Sequence, residues 1–228
     1  MTRLLVLFIA VLIFPGAAFS GTIQGTTVYS AKIKLPPVFK TGKYKKACGP
    51  EIRNEKILVE NKGLKNVVIT IEGEDLPEKR GKYTLDQTQC HYEPHVIAVP
   101  KDSELVIRSS DPINHNLHSY SFDNDPINIM FTPGQEDYTQ ELEEPEIIKI
   151  ECDLHSWMTA WIVVTENSLF AISDKKGSFE IPNVPPGKYT LTAWHEVLGS
   201  LNQTVTVGDG VTKVNFDFSN ISPQVSKK

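Results

Sequence analysis

Turn-forming residues interrupt this chain so often that it has no room for a long helix, and that limits its fold more than any other feature. Runs such as "EKILVE", "NVVITIE", "HVIAVP", "ELVIRS", "EIIKIE", "WIVV", "YTLTAW" and "KVNFDF" are short, Gly, Pro, Asp and Asn fill the gaps between them, and "LPPVFKTGKYKK" reads as an exposed connection. Several runs alternate apolar and polar residues, the period of a half-buried strand. No long stretch has the 3.6-residue apolar period of an amphipathic helix. The expectation is an all-β sandwich architecture. A length of 228 residues allows one large or two small domains, and 40% hydrophobic with 22% charged residues is ordinary for a soluble globular protein.

The first residues follow a different plan. Residues 1–20 read as a secretory signal, with Arg3 ahead of an apolar run and Ala18-Phe19-Ser20 as a small-x-small cleavage site. That run is too short to span a bilayer comfortably, and no later one is long enough, so no integral membrane span is expected. A periplasmic or secreted location follows. The formal net charge of −5 argues against a nucleic-acid partner and for cationic ones. In an oxidising compartment, 3 cysteines leave two to pair and one free. Cys48 in "KKACGPEI" and Cys90 in "DQTQCHY" lie in loop-like contexts and form the candidate disulfide, which leaves Cys152 over.

Cys152 sits in "KIECDLHSWMTAWIVV" (149–164), where Cys152, His155 and Met158 recur every three residues between two strand-like runs. The flanks make these loop residues turned toward one point, not a helical stripe. Each residue singly has a plain reading, Cys152 as a buried thiol and Met158 as core filler. Together with "DPINHNLHSYSF" (111–122) upstream, they ask for a common explanation.

Two resemblances organise the chain. "GTIQGTTVY" (21–29) and "LFAISDKKGSFEIPNVPPGKYTLTAWHE" (169–196) resemble the opening and middle of a carboxypeptidase regulatory-like domain, a small transthyretin-like β-sandwich, with a hairpin turn at Ser173-Asp174 through Gly177 and a second at Pro185-Pro186-Gly187. This implies one sandwich built from 21–78 and 167–220, interrupted by an inserted domain at 79–166, with a flexible tail at 221–228. Two tandem domains are the alternative. His115-Asn116 near the end of one strand, followed by Cys-x2-His-x2-Met on a later loop, resembles the cupredoxins, with the short loop and "HNLH" closest to the amicyanin type. That resemblance implies a Greek-key sandwich holding one type 1 copper ion. His115, Cys152 and His155 would be equatorial ligands and Met158 axial, with Asn116 and His118 behind them. A thiolate, two imidazoles and a weak thioether suit copper in both its oxidation states. Zinc is the alternative, though a second Cys or a carboxylate would be expected in place of Met158.

Other features are weaker. His91 and His95 in "CHYEPH" have helical ligand spacing, but Pro94 disfavours a helix there, so they read as structural, with a second weak metal site left open. His195 in "AWHEVLGS" begins an H-E-x-x-H pattern, but Gly199 stands where the second His belongs. Trp157 and Trp161 flank the loop, as core or as a docking face for an electron partner. The acidic stretch "GQEDYTQELEEPE" (134–146) reads as a solvated loop that could also steer a basic partner. With no nucleophile elbow, Gly-rich cofactor loop or paired-carboxylate motif, the expectation is a one-electron carrier and not an enzyme. Its partner would be a redox protein, such as a cytochrome or an oxidoreductase, with a basic docking face. Copper or zinc capture without redox traffic, and a carbohydrate or cell-surface binding module, are the competing readings.

Overall fold

The computed structural model describes residues 20–223, so the expected signal segment lies outside it except for Ser20, as do residues 224–228 of the expected tail. Among the described residues strands are nearly all of the regular structure, the exceptions being one 3-10 turn at Gly42–Tyr44 and one helical turn at Lys45–Cys48. The molecule is all-β, with facing sheets around two apolar cores.

The first core is made from both ends of the described chain. Gly21–Val28 pairs antiparallel with Ser178–Val184 and parallel with Val211–Asp217, and so runs between them. Gly25 permits that closeness: a Cβ there would stand 1.6 Å from the Val214 carbonyl oxygen and 2.7 Å from the Phe179 ring. Facing it is a sheet ordered Phe170–Ile172, Val68–Glu72, Gly187–His195, Gly199–Val207. Ile23, Leu64, Ile69, Ile71, Phe179, Leu191 and Phe216 fill the space between. The expected hairpin turn forms at Asp174, whose Oδ1 accepts the amides of Lys176 and Ser178 at 2.8 Å, with Gly177 at φ +76°. Pro185-Pro186 passes the chain from one sheet to the other, tied by the Tyr189 hydroxyl donating to the Pro185 carbonyl at 2.9 Å.

The middle of the chain forms the second core. One sheet is ordered Asn128–Phe131, His115–Tyr120, Ile147–Glu151, Thr159–Thr165, Val96–Pro100; the other Tyr138–Leu142, Ser103–Ser109, Lys82–Thr88, His91–Glu93. Leu85, Tyr92, Leu105, Ile107, Leu117, Phe131, Ile150 and Ile162 pack between them. Val96–Pro100 is buried at every position, as a strand covered on both faces must be. Ile97 and Val99 point into the second core. Val96 and Ala98 point into a seam with Val68 and Val163, edged by Trp161, Phe170, Ile172 and Trp194.

Three local expectations change. Tyr138–Leu142, inside the acidic stretch read as a loop, is a strand at the sheet edge, antiparallel to Ser103–Ser109. Its burial alternates and its charges face water, which an edge strand tolerates and which discourages further pairing. "EKILVE" keeps only the two-residue strand Val59–Glu60. The "LPPVFKTGKYKK" connection is more than an exposed link. Val38–Lys40 pairs with Glu51–Arg53, and Tyr44, Cys48 and Ile52 pack on the second core.

Candidate metal centre

The three-residue rhythm of Cys152, His155 and Met158 has a backbone cause. Ile147–Glu151 and Thr159–Thr165 pair antiparallel down to Glu151 opposite Thr159, so residues 152–158 must reverse the chain. They do so in two successive tight turns: the His155 amide donates to the Cys152 carbonyl at 3.3 Å and the Met158 amide to the His155 carbonyl at 2.9 Å. The Cys152 amide closes the loop on the Met158 carbonyl at 3.1 Å. Each turn brings the next soft or basic side chain to the same side.

His115 arrives from the neighbouring strand. His115–Tyr120 pairs with Ile147–Glu151, with His118 opposite Glu151, which sets His115 over the loop. Asn116 braces the arrangement: its amide nitrogen lies 3.5 Å from Cys152 Sγ, its Oδ1 accepts the Asp153 amide at 2.7 Å, and its Nδ2 donates to the Asp153 carboxylate at 2.7 Å. The Tyr92 hydroxyl and Gln87 Nε2 both donate to the Asn116 carbonyl, holding that strand from behind.

The result is a buried cluster. His115 Nδ1 lies 3.0 Å from His155 Nδ1, and Cys152 Sγ lies 3.5 Å from His155 Nδ1. One ligand atom from each of the three residues falls within 4.8 Å of the others. His115, Cys152 and His155 are 0%, 2% and 1% exposed, and Met158, at 1%, belongs to the same core.

Asp111, which the sequence reading did not single out, sets the direction of His115. Its carboxylate accepts from His115 Nε2 at 2.9 Å and from the amides of Gln89 and Cys90 at 2.7 and 2.8 Å. With the proton on Nε2, the Nδ1 lone pair faces Cys152 and His155. Burial pushes the Asp111 carboxyl up, but the hydrogen bonds from His115 and the two amides win and hold it below its usual range. Burial likewise opposes protonation of His115, yet Asp111 and the Cys152 thiolate raise it to about 8. Burial also works against the Cys152 thiolate, and hydrogen bonds from His115, His155 and the backbone lower its pKa to about 6. The thiol is thus poised to ionise near neutral pH.

A second missed residue is Tyr44. Its ring meets the His155 ring at 4.2 Å between centroids, edge-on, and the Trp157 ring stands 5.3 Å from His155 on another side. His155 Nε2 is buried there and has no hydrogen-bond partner among the described residues. Cys48, four residues after Tyr44, forms the expected disulfide with Cys90, and the Cys90 carbonyl accepts from Trp157 Nε1 at 3.0 Å. A Tyr in a Lys-rich connection carries no signal of its own; its distance from the motif hid it.

The remaining expected residues lie apart. His118 is half-buried, stacked on Tyr120 at 4.7 Å and 3.3 Å from the Asp153 carboxylate. Trp161 lies in the seam, donating to Glu196 at 2.9 Å and meeting Trp194 edge-on, which leaves the docking expectation to Trp157. His91 and His95 do not share a site. His91 is near Glu93, whereas His95 is buried against Glu196 with Glu55 beyond. His195 Nδ1 accepts the Val197 amide at 3.2 Å. Among the described residues the other close group of donors is Cys90, Asp111 and His115, but the Cys90 sulfur is committed to its disulfide.

Comparison with known proteins is partial. A family profile described as "Polysaccharide lyase family 4, domain II" matches residues 155–214; the match is to that family and not to the carboxypeptidase regulatory-like one. No curated protein matches the chain. Among solved structures, a purple cupredoxin from Nitrosopumilus maritimus is 18% identical with a TM-score of 0.32, over 36% of this chain and 99% of that one. A reduced Cu(I) form of an amicyanin variant is 19% identical at TM-score 0.33, over 42% of this chain and 97% of that one. A pseudoazurin from Sinorhizobium meliltoi is 19% identical at TM-score 0.33, over 39% and 76%.

Proposed function

We propose that this protein is a periplasmic or secreted type 1 copper protein that carries single electrons and is not itself an enzyme. One observation carries the reading: ligand atoms of His115, Cys152 and His155 lie within 4.8 Å of one another in a buried cluster made by a braced hairpin and the strand beside it. The donor set fits copper. A thiolate and two imidazole nitrogens meet there, Met158 sits in the same core, and the nearby carboxylate of Asp111 is occupied behind His115. Bound copper would supply a reversible one-electron couple between Cu(I) and Cu(II).

The chain's own residues supply the rest. Cys152 ionises readily, and Asp111 keeps the His115 Nδ1 lone pair turned inward. The strand that carries His115 and the hydrogen-bonded turns that carry His155 hold both histidines whatever the oxidation state, which keeps rearrangement small. Tyr44 and Trp157 exclude water from His155. In this reading residues 79–166 form a cupredoxin-like domain inserted into a second sandwich from 21–78 and 167–220, and the segment 1–20 is removed on export.

Copper-loaded protein should be intensely blue through thiolate-to-copper charge transfer, and Cys152→Ser should abolish the colour. A colourless copper complex of the unsubstituted protein refutes electron transfer. The burial of His155 beneath Tyr44 also favours a second reading, copper capture without redox traffic. Reversible one-electron voltammetry supports the carrier, and its absence with rapid copper transfer to a metal-free acceptor supports capture.

A further inference from the structure

The partner's docking face can be approached through what covers His155. A buried imidazole cannot meet a partner directly, so contact must be made by whatever lies over it. That cover is the Tyr44 ring, half-buried, with Trp157 beside it and Leu154, 40% exposed, on the hairpin itself. Tyr44 stands among Lys43, Lys45 and Lys46, all exposed, and Lys43 Nζ lies 5.0 Å from the Tyr44 ring centroid. Among the described residues none of these ammonium groups is paired with a carboxylate.

The 143–146 part of the acidic stretch lies away from this spot. Asn124 accepts the amides of Glu143 and Glu144, and Glu146 takes up those of Phe122, Asp123 and Asn124, all beyond the Tyr120 end of the strand that begins at His115. A six-residue strand separates the two ends by roughly 17 Å. Glu136 and Asp137 follow Phe131, which pairs with His115, and so flank the His115 side. Asp153 on the hairpin is engaged by Asn116 and His118.

We propose that Tyr44, Trp157 and Leu154, ringed by Lys43, Lys45 and Lys46, are the docking face for a redox partner whose own surface is acidic. This rests on the copper reading above, and it reverses the sign expected from the acidic stretch. An apolar centre with a charged rim is the usual anatomy of a transient interface, and unpaired charge on the rim steers association. The face is preformed, because the Cys48–Cys90 disulfide and the Trp157–Cys90 hydrogen bond tie the strap carrying Tyr44 to the second core.

The test is stopped-flow reduction of the copper(II)-loaded protein by hexacyanoferrate(II). The probe gives up one electron to become hexacyanoferrate(III) while the loaded protein passes to its copper(I) form. A net charge of −5 alone predicts repulsion and a rate that rises with salt; the lysine face predicts a rate that falls with salt. The triple variant Lys43→Glu, Lys45→Glu, Lys46→Glu should react at least about tenfold more slowly at low salt and reverse the slope. The corresponding Gln triple variant should fall between, and hexaammineruthenium(II), a cationic probe, should show the opposite order. A blue triple variant of unchanged rate and salt slope overturns the docking face alone. A protein that never turns blue overturns both the face and the site.

Discussion

Changing Asp111 to Asn tests the site without touching a proposed ligand. The Asn Oδ1 can still accept the Gln89 amide that Asp111 Oδ1 takes at 2.7 Å, while its NH2 stands where Oδ2 accepted both the Cys90 amide at 2.8 Å and His115 Nε2. What changes is the group facing His115 Nε2. The carboxylate accepts a proton there at 2.9 Å, whereas an amide NH2 donates one. His115 must then move its proton to Nδ1, the atom aimed at Cys152 and His155, or turn its ring away. One buried charge-assisted hydrogen bond is worth about 1.5–3 kcal/mol, and about 1.4 kcal/mol is a factor of ten. Copper affinity should fall about 10–100-fold, the range measured when partners of ligand histidines are removed elsewhere. Competition titration against a Cu(I) chelator measures this, with urea unfolding of the metal-free protein as the control for folding. An affinity within about twofold of the parent, at the start of that ladder, refutes the role given to Asp111.

Three further outcomes are expected. Met158→Leu should keep the blue colour and raise the reduction potential by removing the thioether; an unchanged spectrum and potential in voltammetry defeats the axial assignment. Replacing Cys48 and Cys90 together by Ala opens a loop closed over 42 residues and should cost about 4 kcal/mol in urea unfolding; a loss under about 1 kcal/mol contradicts the loop-entropy account. Burial, with Glu196 opposing and His95 assisting, lowers His195 from 6.5 to about 4, so the unfolded chain binds more protons between those values. Stability should therefore decline as pH falls from about 6.5 to 4, by up to about 3 kcal/mol from this group. His95 is raised despite burial by its Glu196 hydrogen bond, so its contribution is present at low pH and fades as pH rises above its ordinary value. His195→Asn should flatten the acid limb, and an unaltered slope rejects the assignment.

Some of this was legible in the chain. Period-two runs and their turn residues announced an all-β protein, because strand alternation and turn chemistry are local. The "CDLHSWM" hairpin was readable for the same reason, as was the Asp174–Gly177 turn. Tyr138–Leu142 was not, because an edge strand with its charges in water has the composition of a loop. Asp111 was visible in "DPINH" but unmarked, since an acid four residues before a histidine means nothing until strand pairing aims one at the other.

Short-range pattern thus decided the strands, the turns and the order of the soft ligands, since each depends on residues a few positions apart. Which residues surround His155 was settled only by folding. Tyr44 lies 111 positions before it and reaches it through the cross-link at Cys48 and Cys90, and residues 143–146 of the acidic stretch are drawn past the far end of the His115 strand by Asn124 and Glu146. Burial and charge at a site are sums over neighbours in space, and a linear pattern holds only neighbours along the chain.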